Sequence, residues 1–188
     1  MKPAVSGKFK GGIGMNKEVL DVIKTRRSIR KYRPEQILEE ELDAVLEAGT
    51  YAPTGMGKQS PVIVAVQREE DMKKLARMNA DIMGSKGNPY YGAPTIVLVF
   101  ADGKNGNHVQ DASCVLENMM VAAHALGLGS CWINREKEMF GTEEGRALME
   151  EWGLDQGLEG VGALALGYPE GDSPAPAPRK PDYIRIIR

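Results

Sequence analysis

From Glu18 to Arg27 the side chains Val19, Val22, Ile23 and Arg26 fall three or four residues apart, the spacing of one face of a helix. Arg33-Pro34 ends any continuation, because proline excludes the residue before it from the helical region. A second helical pattern runs from Glu39 to Tyr51 through Leu42, Val45, Leu46 and Gly49, and Pro53 breaks it. Val62 to Val66 and Ile96 to Phe100 are continuous apolar runs of strand length, which predicts strands buried on both faces. Between them Asp71 to Ile82 reads as a helix. Gly84 to Pro94 reads as a Gly/Pro/Tyr-rich loop, of a length that is often functional. Gln110 to Leu126 carries the longest helical pattern, with Val115, Met119, Ala122 and Ala123 on its apolar face, and suits the centre of a domain or a dimer interface. A shorter helix, Glu143 to Trp152, precedes a strand of small and apolar residues, Gly160 to Leu166, that ends at Gly167-Tyr168-Pro169. Helices and strands alternate in mixed order without an internal repeat. An α+β fold is expected, a central mixed sheet surrounded by helices.

At 188 residues the chain fits one domain with a sizeable core, and Met1 to Gly14, aperiodic and followed by Met15, reads as a mobile extension to a domain spanning 15–188. A formal charge of −2, from 24 basic and 26 acidic residues, supplies no general field for nucleic acid or an anionic membrane. Small-molecule partners are therefore expected. Cys114 and Cys131 share no metal or redox spacing, which points to reduced thiols and a cytoplasmic home. The longest apolar runs are too short to span a bilayer. His108 and His124 are the only histidines, so no metal site is expected.

Chemistry concentrates in Arg26-Arg27-Ser28-Ile29-Arg30. Guanidinium forks match phosphate oxygens and serine adds a neutral donor, so the cluster suits a small phosphorylated ligand. Cations also complement the negative end of a helix, and a solvated basic helix end is the competing reading. On local grounds Ala52-Pro53-Thr54-Gly55 is a helix stop followed by a turn. Gly129-Ser130-Cys131-Trp132-Ile133 is likewise a strand start after a helix end. It is not a dinucleotide loop, because Trp132 stands where the third glycine belongs. Cys131, with no histidine near it in sequence, reads as a packed thiol. The tail Ser173 to Pro178 predicts an extended strut, five residues of which span about 15 Å, ahead of Arg179-Lys180 and the apolar Tyr183, Ile184 and Ile187.

Taken together, Arg-Arg-Ser-x-Arg at 26–30, Ala-Pro-Thr-Gly-x-x-x-Gln-Ser-Pro at 52–61, Gly-Ser-Cys-Trp-Ile at 129–133, Gly-Tyr-Pro at 167–169 and the late Arg-Lys resemble the FMN-dependent nitroreductase family, over roughly Met15 to Arg188. The resemblance implies that Arg26 and Ser28 grip the FMN phosphate with help from Arg27, and that Arg30 approaches the ribityl chain and the N1/O2 edge. A cation there offsets the negative charge that two-electron reduction places on N1–C2=O. It implies that Pro53, Thr54, Gly55 and Met56 lie over the flavin of a partner subunit and that Gln59 bonds cofactor oxygens. Many relatives have Asn where this chain has Gly57. Ser130, Cys131 and Trp132 would lie against the ring, where a main-chain N–H can donate to N5 or O4. Asn88, in Asn88-Pro89-Tyr90-Tyr91, would belong to a lid, for which a surface turn is the alternative. Arg179 and Lys180 would bring two more cations to a phosphate of about −2 charge.

The activity so implied is ping-pong transfer of electrons from NADH or NADPH to nitroaromatics, quinones or similar acceptors, by a homodimer with no side chain acting as acid or base. Two alternatives stand beside it: a flavin-binding regulatory module without rapid turnover, and an FMN-dependent dehalogenase-like enzyme.

Overall fold

A computed structural model describes residues 17–188; the expected extension, Met1 to Gly14, lies outside the described residues. Six helices and four strands follow in the order α1 (Lys17–Thr25), α2 (Glu39–Thr50), β1 (Val62–Val66), α3 (Glu69–Met83), β2 (Thr95–Asp102), α4 (His108–Ala125), β3 (Gly129–Ile133), α5 (Glu136–Gly141), α6 (Glu143–Glu151) and β4 (Leu158–Gly167). The strands form one sheet in the order β1-β2-β4-β3. All three pairings are antiparallel, and the parallel component of the expected mixed sheet is a single bridge between Ser28 and Ser130.

Strand periodicity divides the core between two helical layers. Ile96, Leu98 and Phe100 of β2, with Ala163 and Ala165 of β4, pack against Leu75 and Met78 of α3, Met139 and Phe140 of α5, and Leu148 and Met149 of α6. Val97, Val99 and Ala101, with Leu164 and Leu166, face Val45 of α2 and Val115, Leu116 and Met119 of α4. The α2–α4 crossing is close: a β-carbon on Gly49 would stand 2.8 Å from Met119 Cγ.

One strand departs from expectation. β2 is buried on both faces, but among the described residues β1 pairs only with β2, its Ala65 is exposed and its burial is partial. A continuous apolar run reads the same at an edge as at a centre, and only pairing separates the two. Two short elements escaped the periodicity, the six-residue α5 and a 3₁₀ turn at Gly55–Gly57.

Candidate flavin site

Helix α1 ends at Thr25, and the chain then runs extended through the arginine cluster between two neighbours. On one side Ile29 N–H donates to Ser130 O at 3.0 Å, which lays the cluster alongside β3. On the other, Arg33 N–H donates to Tyr168 O at 2.9 Å and Glu170 N–H to Lys31 O at 3.0 Å. Gly129 permits the first contact, because a β-carbon there would come 2.9 Å from Ile29 Cγ2. Three separate sequence motifs, at 26–30, 129–133 and 167–169, thus meet at one place.

The cationic side chains have different surroundings. Arg26 lies 4.0 Å from Glu117 of α4, and its Nη1 is buried with no hydrogen-bond partner among the described residues. Arg27 is engaged by carbonyls: Nε donates to Pro174 O (3.1 Å), and Nη1 donates to Lys24 O (2.8 Å) and Arg26 O (2.6 Å). It fastens the start of the tail to the helix end. Arg30 is exposed and its guanidinium carbon stands 5.8 Å from the centroid of the Tyr91 ring. Ser28 and Arg30 share a small cavity with Pro169 and Pro174. Behind the cluster, Thr25 Oγ1 meets His124 Nε2 at 2.9 Å. Since that hydroxyl donates to Asp21 O at 2.5 Å, His124 is the donor in the pair. Burial, and then the cations of Arg26 and Arg27, hold its imidazole below its ordinary range.

Tyr91 leads to a second cavity, of about 410 Å³, walled by the 84–94 loop and by Trp132, Ile133, Asn134 and Arg135. Asn88 lies in this loop. Its Oδ1 accepts from Tyr90 N–H (2.9 Å) and closes the turn. Trp132 Nε1 donates to Asn134 Oδ1 at 2.9 Å. Ser130 and Cys131 are buried, and burial pushes the Cys131 thiol up, so it packs as a protonated thiol.

The Pro53–Gln59 segment lies elsewhere. Gly55 N–H donates to the buried Asp111 Oδ1 (2.9 Å), at the opening turns of α4, and Gln59 N–H donates to Thr54 Oγ1 (3.0 Å). Pro53 and Gln59 are exposed, and Met56 is 87% exposed. Thr54 and Gln59 border a cavity of about 420 Å³ with α2, β1 and Val115. Arg26 meets α4 at Glu117, near its middle, and Thr25 meets it at His124, near its end. Asp111 is six residue steps, about 9 Å of helix, from Glu117 and thirteen steps, about 20 Å, from His124. Arg179 and Lys180 are exposed in the tail, and neither side chain makes a hydrogen bond or ion pair among the described residues. The single chain therefore lays the 26–30 segment alongside Ser130 and Cys131, with Ser28 and Arg30 on one cavity and Asn88 and Trp132 on another. It does not bring the 53–59 segment to them, and among the described residues neither Arg179 nor Lys180 forms a hydrogen bond or ion pair with the cluster.

Sequence reasoning placed Tyr91 in the segment expected to form a lid without counting it among the site residues, and overlooked Asn134, Arg135 and the buried Glu136. A signal for Glu136 existed: it stands three and four residues before Met139 and Phe140, on the apolar face of α5. No cluster of three potential metal-binding side chains occurs among the described residues, and no helix there is long and apolar enough to cross a membrane.

Comparison with known proteins accords with this geometry. The sequence pattern of the Nitroreductase family matches residues 23–168. A protein of Archaeoglobus fulgidus, provisionally named NADH dehydrogenase/NAD(P)H nitroreductase, is 32% identical over 161 residues, 81% of this chain and 86% of its own. The FMN reductase [NAD(P)H] of Bacillus subtilis is 26% identical over 187 residues, 87% of this chain and 70% of its own. Among solved structures, a nitroreductase with bound FMN from Bacteroides fragilis superposes with a TM-score of 0.84 at 34% identity, covering 91% of this chain and 99% of that one.

Proposed function

Because the chain belongs to the nitroreductase family, we propose that it is an NAD(P)H-dependent flavin oxidoreductase that holds FMN between two copies of itself and serves nitroaromatics, quinones or similar electron-poor acceptors by a ping-pong mechanism. The observation that carries the reading is the buried, unpartnered Nη1 of Arg26. A buried guanidinium nitrogen without an acceptor is costly, and a phosphate oxygen supplies the missing partner. Arg26 and Ser28 hold that phosphate. Arg27, fastened to Pro174, steadies the segment, and Arg30 and Tyr91 lead toward the cavity at Asn88 and Trp132. FMN, when bound, supplies the two-electron redox chemistry. The chain contributes binding, orientation and an open cavity in which nicotinamide and acceptor take turns.

Distance along α4 supports a homodimer. Pro53, Thr54, Gly55, Met56 and Gln59 are presented at the opening turns of α4, whereas Arg26 lies beside Glu117, about 9 Å further along the axis, and Thr25 beside His124, about 20 Å along it. A second copy brings the 53–59 segment over the first copy's cavity, and gives Arg179 and Lys180 of the exposed tail a phosphate to approach. Cys114 and Cys131 are free thiols, in keeping with a cytoplasmic protein.

The test is spectroscopic. Purified protein should be yellow with a flavin absorbance of one FMN per chain, should bleach under anaerobic NADH or NADPH, and should regain colour with a nitroaromatic or quinone. Parallel lines in double-reciprocal plots would accord with ping-pong turnover. A colourless protein that FMN does not colour would overturn the reading.

A further inference from the structure

The cavity between Asn88 and Trp132 is walled largely by irregular chain. One wall is the 84–94 loop, with Tyr91 at φ 57°; the other is the end of β3 and its continuation, with Arg135 at φ 90°. Beneath both lies a buried polar group. Asn79 of α3 is fully buried, and Tyr90 and Glu136 are each 1% exposed. Asn79 Nδ2 donates to Asn134 O at 2.9 Å and lies 3.4 Å from Tyr90 Oη; Asn79 Oδ1 accepts from Arg135 Nη1 at 3.2 Å. Tyr90 Oη donates to Glu136 Oε1 at 3.2 Å. Every one of these bonds ties one wall to the other or to the helix below.

We propose that Asn79, Tyr90 and Glu136 are positioning residues, a buried post that fixes the separation of the Asn88–Tyr91 wall from the Trp132–Arg135 wall and so sets the width of the cavity that admits a flat redox ligand. The identity of that ligand rests on the function proposed above; the post itself does not. A hydrocarbon core at these positions would hold the walls by non-directional contact. Directional bonds to a main-chain carbonyl and to two side chains hold one register.

The post is sensitive to charge. Glu136 Oε2 is buried with no hydrogen-bond partner among the described residues. Burial raises the carboxyl to about 8, against the lowering from Tyr90 and Arg135, with Glu138 adding to the rise. From α3 the group facing the post is the uncharged Asn79. From β4 it is the main chain at Gly160, where a β-carbon would lie 2.6 Å from Glu136 O. Glu136 is therefore neutral near pH 7. Its ionisation places in the post a charge that Tyr90 and Arg135 offset only in part, which is relieved by admitting water and parting the walls.

Amide hydrogen exchange on the full-length protein as purified tests this, at about pH 6 and about pH 9 with rates corrected for intrinsic exchange. Protection of residues 84–91 and 133–135 in the wild type should fall at least about threefold between the two, with α4 unchanged. Glu136→Gln should hold its protection at both values. Tyr90→Phe should lower it at both, and should raise KM for the nicotinamide with kcat nearly unchanged. Wild-type protection in Tyr90→Phe, or a pH-dependent loss that survives in Glu136→Gln, would overturn the proposal. If Tyr90→Phe does not fold, the Glu136→Gln arm decides alone. Exchange is readable with or without flavin, so a colourless protein would defeat the FMN reading and leave this one standing.

Discussion

The Arg30 guanidinium lies over the ring of Tyr91, 5.8 Å from its centroid, and so joins the arginine segment to the 84–94 loop across a gap that no main-chain hydrogen bond bridges. Tyr91 accomplishes this from the left-handed region, at φ 57°, between two turn bonds of the loop. Tyr91→Ala removes the ring, and an exposed cation–π contact is worth about 0.5–1 kcal/mol. FMN affinity should fall roughly two- to fivefold, while Tyr91→Phe keeps the face and should bind as the wild type does. Titration of flavin fluorescence measures both, and equal losses in the two variants would show that the hydroxyl carries the effect.

Arg26 offers a sharper test. Arg26→Ala removes a charge-assisted bond worth about 1.5–3 kcal/mol, so FMN should bind roughly ten- to a hundredfold more weakly. Riboflavin, which has no phosphate, should bind wild type and variant alike. A variant that loses both ligands equally would place Arg26 at the ring instead.

If FMN lies between two copies, as proposed, the 53–59 segment meets the arginine cluster only between chains, and mixed dimers can reveal this. Asp111→Ala removes the acceptor of Gly55 N–H and loosens the 53–59 segment without touching the arginines. Alone, it and Arg26→Ala should each bind FMN poorly. After denaturation and refolding together, a mixed dimer has one site with both defects and one with neither, so flavin should return to about half of the mixed dimers' sites. No recovery in the mixture would place both contributions in a single chain.

Much of this arrangement was legible in the chain itself. Five helices and three of the four strands follow from periodicity, because long amphipathic helices and apolar strands announce their faces; β3 was legible only as a strand start after a helix end. The meeting of Arg26–Arg30 with Ser130–Trp132 was legible only through resemblance, since the bond from Ile29 to Ser130 spans a hundred residues and leaves no local trace. Edge strand β1 looked central because its partners, not its side chains, make it an edge. Glu136 sits in Arg135-Glu136-Lys137-Glu138, which reads as a solvated charged turn, and α5 at six residues is too short for its Met139 and Phe140 to override that impression.

Glu136 should also govern the pH dependence of stability. Its carboxyl retains a proton up to about pH 8 in the fold and loses it near its ordinary value of 4.5 when unfolded. Between those limits the folded state binds more protons, so stability falls as pH rises through the window and levels off above it, by on the order of a few kcal/mol. Glu136→Gln should flatten that slope and be the more stable protein at about pH 8 and above. Urea midpoints across this range check it, and an unchanged slope in the variant would assign the titration to another group.

The tail separates two roles that truncation alone would confuse. Arg27 holds Pro174 at 3.1 Å, whereas Arg179 and Lys180 stand beyond the proline strut, five residues or about 15 Å of extended chain further on. If the strut serves to deliver cations to the phosphate, Arg179→Ala with Lys180→Ala should weaken FMN binding nearly as much as ending the chain after Gly171, with riboflavin unaffected by either. Arg27→Ala should then produce a smaller loss, because it frees the root of the strut and leaves its cations in place. Replacing Pro174–Pro178 by Gly and Ser should also produce an intermediate loss, since each residue ordered on binding costs roughly 1–2 kcal/mol when it is not already stiff. Calorimetric titration of flavin-free protein with FMN distinguishes the cases. Wild-type affinity in the double variant, together with a full loss in Arg27→Ala, would mean that the helix-end fastening matters and the distal cations do not.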